Sequence, residues 1–571
     1  MQPAPVFGSV LRQMAPAPVA GALGRILRID DLDRVVERIR AGRDASKGLT
    51  FAEETLHALG VEIRVRQEEL ARIPRTGPVV VVANHPYGML EAAALSSMLE
   101  RVRPDAKVVA NHWMGAVAEL RDKLIMVDTM GGGVQGNLRT LRAALAHLGR
   151  GGLLVVFPAG EVSHWDARRG AVADPKWNDG ATRMARAAGA LVAPVYFAGA
   201  NGWVFQVAGM VHPRLRTALL PHELLSKKNR VLEIRVGHPV RPERAETEEM
   251  RRRTYWLGGA RQTAPAAKRK MAALGEAAPA GWIRREIAGL DAHQVLAESG
   301  EWKVVLTTSW ATPMTMREIG RLREETFRAA GEGTGSAYDL DRFDNWYHHL
   351  VLWNQDKGEI AGAYRLCGND EGRELYTESL FRMGAGFRQR VGPALELGRS
   401  FIRQDYQRAY QPLLLLWRGI GEFIARNPRY RRLFGAVSVS ADYSAASRGL
   451  MARYLRLRCW SEELAEFVEA RVAFRGDISG EWPTAADVED LDHLVGDAEG
   501  GARSVPVLLR HYLKLGGRLC ALGVDPGFGS CVDGLVVVDL LDTDRKQVER
   551  YLGRAGAARL YAAHNAAGHL G

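Results

Sequence analysis

Two groups of residues in this chain could do chemistry. The first lies in Val79–Glu91, VVVVANHPYGMLE. A β-branched run feeds Asn84-His85-Pro86, Gly88 supplies a turn, and an apolar, helix-like stretch from Met89 to Leu99 carries Glu91 near its start. The pattern predicts a strand that delivers a histidine to a loop, with a carboxylate one helical turn away. Such a histidine takes a proton from a hydroxyl near neutral pH, and the carboxylate fixes the ring tautomer and stabilises the imidazolium. With fifteen histidines in the chain, a chance strand-end histidine is the competing reading. Two further segments stand against it: Leu153–Ser163, LLVVFPAGEVS, is a strand ending in Phe157-Pro158-Ala159-Gly160-Glu161, and Ala190–Phe197, ALVAPVYF, is a strand containing Pro194.

The second group is Arg323, Phe327, Asp341, Asp344, Arg365, Glu396 and Arg399. Ile360–Leu366, IAGAYRL, alternates as a half-buried strand with Arg365 and Tyr364 on opposite faces. Ala394–Ile402, ALELGRSFI, sets Glu396 and Arg399 three apart, which share a face on a helix but oppose each other on a regular strand. The flanks read as strand, so a bulge at Gly398 is needed to bring both into one site.

These residues need rigid elements to hold them, and the chain is long enough to supply them. At 571 residues it is expected to form two to four domains. Its 47% hydrophobic and 25% charged residues argue against disorder. In the first part we expect a strand at Val61–Val65, the His85 strand, a helix over 91–102, strands at Ala106–Ala110 and Leu124–Val127, a helix capped by Asn137, and a last strand at Val231–Val236. Residues 262–281 read as an Ala/Pro/Lys-rich linker, followed by a helix over 282–299. Beyond them come a strand at Trp302–Thr308 and helices at Met316–Ala329 and Pro412–Arg426. The expected boundaries are 1–30 for a basic amphipathic segment, 31–261 for a first domain, 262–299 for the connection and 300–571 for a second domain.

Gly131 to Gly136 matches G-x-G-x-x-G between a strand and a helix, the form of a dinucleotide site. The acid required about twenty residues later is absent, because Glu161 already belongs to the Phe-Pro block, so these glycines read as a loop beside the acceptor site. The four cysteines form no C-x-x-C pair and there is no H-E-x-x-H, which points to a reducing compartment and to no metal site. No uninterrupted apolar run reaches about eighteen residues, so no membrane-spanning helix is expected. The formal charge of +11 favours acidic partners: an anionic membrane, an acidic carrier protein or nucleic acid. The first thirty residues, basic and interrupted by prolines, suit either a segment lying on anionic lipid or a terminal strap packed on its own domain.

His85 with its acid, then Phe157-Pro158-x-Gly160, then the Pro194 strand resembles the glycerolipid O-acyltransferase family, which includes lysophospholipid acyltransferases. The resemblance implies that His85 deprotonates an acceptor hydroxyl that attacks an acyl thioester. The spacing here is His-x5-Glu, with Leu90 where the family commonly has Asp. The arginine that usually follows the Phe-Pro block, suited to a glycerol phosphate, is missing from Ala159-Gly160-Glu161-Val162-Ser163, which disfavours a phosphate monoester acceptor. The second group resembles the acyl-homoserine-lactone-synthase-like branch of the GNAT fold, and the Leu-Leu-Arg-x-Tyr-Leu run around Arg510 fits the N-acyltransferases of that branch.

An O-acyltransferase-like half before a GNAT-like half resembles the bifunctional ornithine lipid synthases, over nearly the whole chain outside the first thirty residues and the linker. The resemblance implies two α/β domains and two successive acylations: N-acylation of an amino acid by a 3-hydroxyacyl group, then O-acylation of that hydroxyl. It implies acyl-ACP or acyl-CoA as co-substrate with no tightly bound cofactor. The implied partners are acyl carrier protein, the amino acid and lyso-lipid substrates and an anionic membrane surface, with no nucleic acid; the location is peripheral, on the cytoplasmic face of a bacterial inner membrane. Catalytic roles fall on His85, Glu91, Glu396 and Asp344, the last two suiting the substrate ammonium. Substrate contacts fall on Asn84, Gly88, Phe157, Pro158, Gly160, Glu161, Arg323, Phe327, Asp341, Arg365 and Arg399. Arg365 and Arg399 suit a carboxylate or a phosphopantetheine, and Asn84 or backbone N–H groups near Gly160 suit the oxyanion. The alternatives are a lysophospholipid acyltransferase that remodels membrane phospholipids, and a non-catalytic membrane-binding protein.

Overall fold

The computed structural model describes residues 28–42, 49–111, 114–127, 133–167, 169–211, 216, 219–259, 271–409, 411–476 and 482–565, with the side chains of 116, 133–137 and 211 left aside. The chain forms two compact units: Met1–Arg261 with Glu481–Thr484 and Gly496–Ala502, and the remainder.

The strands of the first unit are β1 Glu62–Arg64, β2 Val79–Ala83, β3 Lys107–Asn111, β4 Leu124–Val127, β5 Leu153–Val156, β6 His164–Asp166, β7 Ala171–Ala173, β8 Leu191–Phe197 and β9 Val231–Val236. Seven of them make one sheet in the order β1-β9-β8-β2-β5-β3-β4, while β6 and β7 pair separately. All its ladders are parallel except that between β8 and β9. A parallel sheet is covered on both faces, which is why β2 is an unbroken valine run rather than an alternating one. Val79, Val81 and Ala83 pack with Leu90, Leu95 and Leu99 of helix Leu90–Glu100, while Val80 and Val82 pack with Ala144, Leu148, Ala181 and Ala185 of the helices on the other face. The register aligns Val79 with both Leu153 and Leu191, so β2, β5 and β8 end at one edge of the sheet. That carboxyl edge, where open α/β sheets bind their ligands, receives His85, Phe157 and Ala198.

The second unit holds β10 Val295–Ser299, β11 Trp302–Thr308, β12 His348–Asn354, β13 Glu359–Gly368, β14 Phe381–Met383, β15 Ala394–Ile402, β16 Arg432–Val439, β17 Val468–Ala470, β18 Arg518–Asp525 and β19 Cys531–Asp539. Eight form a sheet in the order β10-β11-β12-β13-β15-β16-β19-β18, antiparallel except for a three-pair parallel ladder between β15 and β16. Between β13 and β15 the register passes from Ala363↔Phe401 to Arg365↔Gly398, so three steps on β15 oppose two on β13. The expected bulge is therefore present, centred just after Gly398, and Arg399 sits in it at φ +47°. A side chain held in the left-handed region costs roughly 1–3 kcal/mol, and such residues cluster at functional sites.

Several expectations are corrected here. Gly133–Gly136 is the first turn of helix Gly133–Gly149, not a loop, and Asn137 lies inside that helix rather than capping it; Gly131 and Gly132 fall outside the described residues. Most of the 1–30 segment also falls outside them, as do residues 262–270 of the linker. The expected helix over 282–299 is a shorter helix, Ala280–Ala288, followed by β10, because Val295–Ser299 pairs with β11. β13 is buried along almost its whole length rather than half-buried: Ile360 and Ala363 join one apolar cluster and Cys367 another.

Candidate active sites

In the first unit His85 leaves β2 with its backbone held on both sides. Its N–H donates to Asp174 Oδ1 at 3.1 Å and its carbonyl accepts from Ser163 N at 2.8 Å. Asp174 also accepts from the Ser163 hydroxyl and, at 2.8 Å, from Trp177 Nε1, so one buried carboxylate ties the histidine loop to the segment after β5. The imidazole stacks on Phe157 with ring centres 4.3 Å apart, and the side chain keeps 16% of its surface exposed. Its Nδ1 lies 3.4 Å from Glu91 Oε1. That oxygen accepts from Tyr87 N at 2.5 Å and Gly88 N at 3.1 Å, while Glu91 Oε2 and His85 Nδ1 have no hydrogen-bond partner among the described residues. The extra residue in the His-x5-Glu spacing is absorbed by a turn at Gly88, φ +99°, where a Cβ would meet Leu220 at 2.7 Å. A loose base–orienter contact of this kind is common without substrate and tightens in the reacting complex.

The Phe-Pro block turns sharply, with Gly160 at φ +69° and its N–H on the Phe157 carbonyl at 3.0 Å. The Pro158 carbonyl accepts from Asn178 N at 3.0 Å. Glu161 pairs with Arg216 at 2.6 Å, so a guanidinium missing from the motif does reach it, already committed to a carboxylate. The oxyanion role suggested for Asn84 does not fit. Its amide is buried and clamps β2 to β8, donating to the Phe197 carbonyl at 3.0 Å and accepting from Phe197 N at 2.7 Å. Asn84→Ala would leave two buried backbone groups unpaired and is expected to destabilise the unit by about 3 kcal/mol. Chemical denaturation measures this; an unchanged midpoint with slowed acyl transfer would return Asn84 to the oxyanion.

In the second unit Arg323, Arg365 and Asp344 form a buried ionic cluster. Asp344 Oδ1 accepts from Arg323 Nη1 at 2.8 Å and from Arg365 Nη1 at 3.1 Å, and Oδ2 accepts from Asp341 N at 2.9 Å. Burial alone would raise this carboxyl, but the two guanidinium groups beside it hold it well below the usual carboxylate range. Burial, with Arg323 adding, lowers the His349 imidazole to about 4. Both Asp344 oxygens are thus taken by the protein, which leaves that residue to position Arg365 rather than to meet an ammonium.

Arg365 also donates to Asp341 at 2.7 Å, yet among the described residues its Nε and Nη2 have no hydrogen-bond partner. Its guanidinium carbon lies 4.8 Å from the Tyr376 ring centre. Arg399 lies between the Tyr376 and Phe528 rings at 4.7 and 4.5 Å, donates to the Tyr376 hydroxyl at 3.1 Å and stands 3.3 Å from Asp339. Phe327 meets the edge of Phe528 at 5.0 Å. Glu396 is fully buried and accepts from Thr377 N at 3.2 Å and Thr377 Oγ1 at 3.0 Å, anchoring the residue next to Tyr376. Burial pushes its carboxyl up to about 7. A guanidinium with unpaired donors between aromatic faces suits a carboxylate or phosphate ligand.

The sequence reading missed Asp174, Asp339, Tyr376, Thr377, Phe528, Glu332 and Asp533. Only Asp339 had a local signal, an Asp-x-Asp with Asp341. Burial pushes Glu332 and Asp533 each up to about 7, and the Arg399 charge opposes the rise in both. The folded chain keeps the Glu332 proton to about pH 7, whereas an ordinary carboxyl releases it near 4.5. This group's contribution to stability is therefore full below about 4.5 and is lost as pH rises through 7. Between pH 5 and 8 the parent should lose on the order of 3 kcal/mol relative to Glu332→Gln in denaturant melts; parallel pH profiles would contradict this. Among the described residues no group of three or more His, Cys, Asp or Glu side chains could hold a metal, and no helix is long and apolar enough to cross a membrane.

Two sequence profiles match: an acyltransferase family over residues 47–260 and an acetyltransferase (GNAT) domain over residues 322–418. Over 268 residues the chain is 30% identical to a glycine N(alpha)-acyltransferase of Bacteroides thetaiotaomicron, covering 43% of this chain and 80% of that protein. A glycine N(alpha)-acyltransferase of Phocaeicola vulgatus is 36% identical over 170 residues, which cover 27% of this chain and 52% of that protein. Among solved structures, FeeM, an N-acyl amino acid synthase from uncultured soil microbes, is matched at a TM-score of 0.24 and 10% identity, over 43% of this chain and 95% of that one. The α/β acyltransferase domain is N-terminal and the α/β GNAT domain C-terminal, in the expected order. The chain is an acyltransferase, and it belongs to the family of which the Bacteroides thetaiotaomicron glycine N(alpha)-acyltransferase is a member.

Proposed function

We propose that the chain carries out two successive acyl transfers in the synthesis of an amino-acid lipid. The C-terminal unit transfers a 3-hydroxyacyl group from acyl carrier protein to the α-amine of an amino acid, and the N-terminal unit then acylates the 3-hydroxyl. The observation that carries this reading is the presence, in one chain, of a histidine facing a carboxylate, His85 and Glu91, which suits hydroxyl activation, and of two buried arginines, Arg365 and Arg399, which suit a carboxylate.

An amine, once deprotonated, attacks a thioester directly, so its site needs chiefly positioning and oxyanion stabilisation. Arg365 Nη2 and Arg399 take the substrate carboxylate, held by Asp341, Asp344 and Tyr376. A hydroxyl needs a base. His85 Nε2 takes its proton while Nδ1 faces Glu91; the oxygen attacks the thioester carbonyl, the C–S bond breaks, and the proton passes to the departing thiolate. Backbone N–H groups near Gly160 stabilise the oxyanion. The +11 charge suits an acidic carrier protein and an anionic membrane at the cytoplasmic face.

The name of the relatives makes glycine the first candidate for the amino acid. Ornithine, expected from the synthase resemblance, is the second reading, favoured by the buried carboxyl groups of Glu332 and Asp533, which could meet a side-chain ammonium. The test is purified full-length chain with 3-hydroxyacyl-ACP, offered glycine, ornithine, lysine, glutamine or lysophosphatidate, with products read by mass spectrometry. An N-(3-hydroxyacyl) amino acid that gains a second acyl group is the expected product. Consumption of lysophosphatidate with no amino acid acylated would instead identify a phospholipid-remodelling enzyme.

A further inference from the structure

Among the described residues, the carboxyl edge of the first unit's sheet carries exposed apolar side chains. Helix Trp203–Val211 follows β8 by six residues. At 100° per residue, Trp203, Val204, Val207 and Met210 fall on one stripe and Phe205 on the opposite side. Phe205 is fully buried, whereas Trp203 is 76% and Met210 65% exposed, with Val204 and Val207 exposed between them. A surface helix of a globular protein normally turns this stripe inward; here it faces out.

The stripe adjoins the His85 loop through named bonds. Asn201, two residues before the helix, donates to the Tyr87 carbonyl at 3.2 Å, and the Tyr87 hydroxyl donates to the Ala198 carbonyl at 2.7 Å. Gln206 of the helix accepts from Trp165 N at 2.9 Å; Trp165, in β6, is itself 45% exposed. β6 begins one residue after Ser163, the residue bonded to the His85 carbonyl. Helix Gly133–Gly149 also starts at this edge, after β4, and exposes Leu138, Arg139, Leu141 and Arg142.

We infer that this edge is a lipid-docking face, with Trp203, Val204, Val207 and Met210 entering the head-group region of an anionic bilayer beside the His85 site. The exposed Trp203 on the stripe, with the exposed Trp165 beside the helix, matches the preference of indole for the membrane interface. Arg139 and Arg142 on the same edge, in a chain of net charge +11, complement anionic head groups. The use of the face rests on the proposed function: a monoacylated amino acid keeps its chain in the bilayer, and an acceptor hydroxyl must reach His85 from there. No membrane-spanning segment is needed for this.

The test is flotation of the full chain with vesicles of phosphatidylethanolamine and phosphatidylglycerol, the second lipid supplying the anionic surface. Trp203→Glu combined with Met210→Glu should cut the bound fraction by at least about tenfold, with the circular dichroism unchanged and transfer to a short-chain, water-soluble hydroxyl acceptor kept. Should the double variant not fold, Trp203→Gln alone, at the most exposed of these positions, should still weaken flotation. Binding equal to the parent's in a folded variant would overturn the proposal. So would a variant that floats normally but loses transfer from acyl-ACP while keeping it from acyl-CoA, which would make the face a carrier-protein dock. Flotation needs no turnover, so an inactive parent that floats would count against the proposed function alone.

Discussion

Replacing His85 with alanine should lower O-acylation by about 10³-fold and leave N-acylation unchanged, so that the monoacylated amino acid accumulates. The size follows from the chemistry: a hydroxyl is a poor nucleophile until its proton is taken, and the imidazole stacked on Phe157 and facing Glu91 is that of His85. The selectivity follows from the location, because the His85 loop belongs entirely to the first unit. Separate assays of the two steps on purified variant check it. If His85→Ala removed N-acylation as well, the assignment of one reaction to each unit would be wrong. Glu91→Gln should have a smaller effect, since it keeps an oxygen for the Tyr87 and Gly88 N–H groups but loses the charge that steadies the imidazolium.

Replacing Arg399 should lower kcat/KM for the amino acid by about 10²-fold, the usual consequence of removing one well-placed charged donor. Alanine and glycine should be equally inactive but not equally stable. The backbone at Arg399 is left-handed, φ +47°, a conformation that glycine adopts freely and alanine does not. Arg399→Gly should therefore be more stable than Arg399→Ala by about 1 kcal/mol. Both variants leave Asp339 without its cation, so that cost cancels in the comparison. Equal melting of the two would mean that the bulge relaxes on substitution, and an active alanine variant would move carboxylate recognition away from this residue.

What could be read beforehand was mainly local pattern. The valine run of β2, the Pro194 strand and the turn at Gly88 are short-range features whose physics is contained in a few residues, and they placed His85 and Glu91 on one loop and the following helix. The bulge was inferable too, because Glu396 and Arg399 had to be reconciled with a strand. Pairings between distant residues were not inferable. Asn84 looked like an available donor, but its amide is consumed by Phe197, 113 residues later. Asp344 reads in sequence as an available acid, but Arg323 and Arg365 share one of its oxygens. Asp174 had no motif at all, and its importance lies in touching His85, Ser163 and Trp177 at once. Val295–Ser299 continues the expected helix in sequence, because a five-residue run carries too little periodicity to reveal that it pairs with β11.

The proposed function is two ordered acylations by two sites of one chain. It is tested most directly by mass spectrometry of lipids from a host without amino-acid lipids that expresses the intact chain, its His85→Ala variant or its Arg399→Ala variant. The parent should yield a new diacylated amino-acid lipid, His85→Ala its monoacyl form alone, and Arg399→Ala neither. No amino-acid lipid in any of the three, with altered phospholipid acyl chains in the parent, would contradict it.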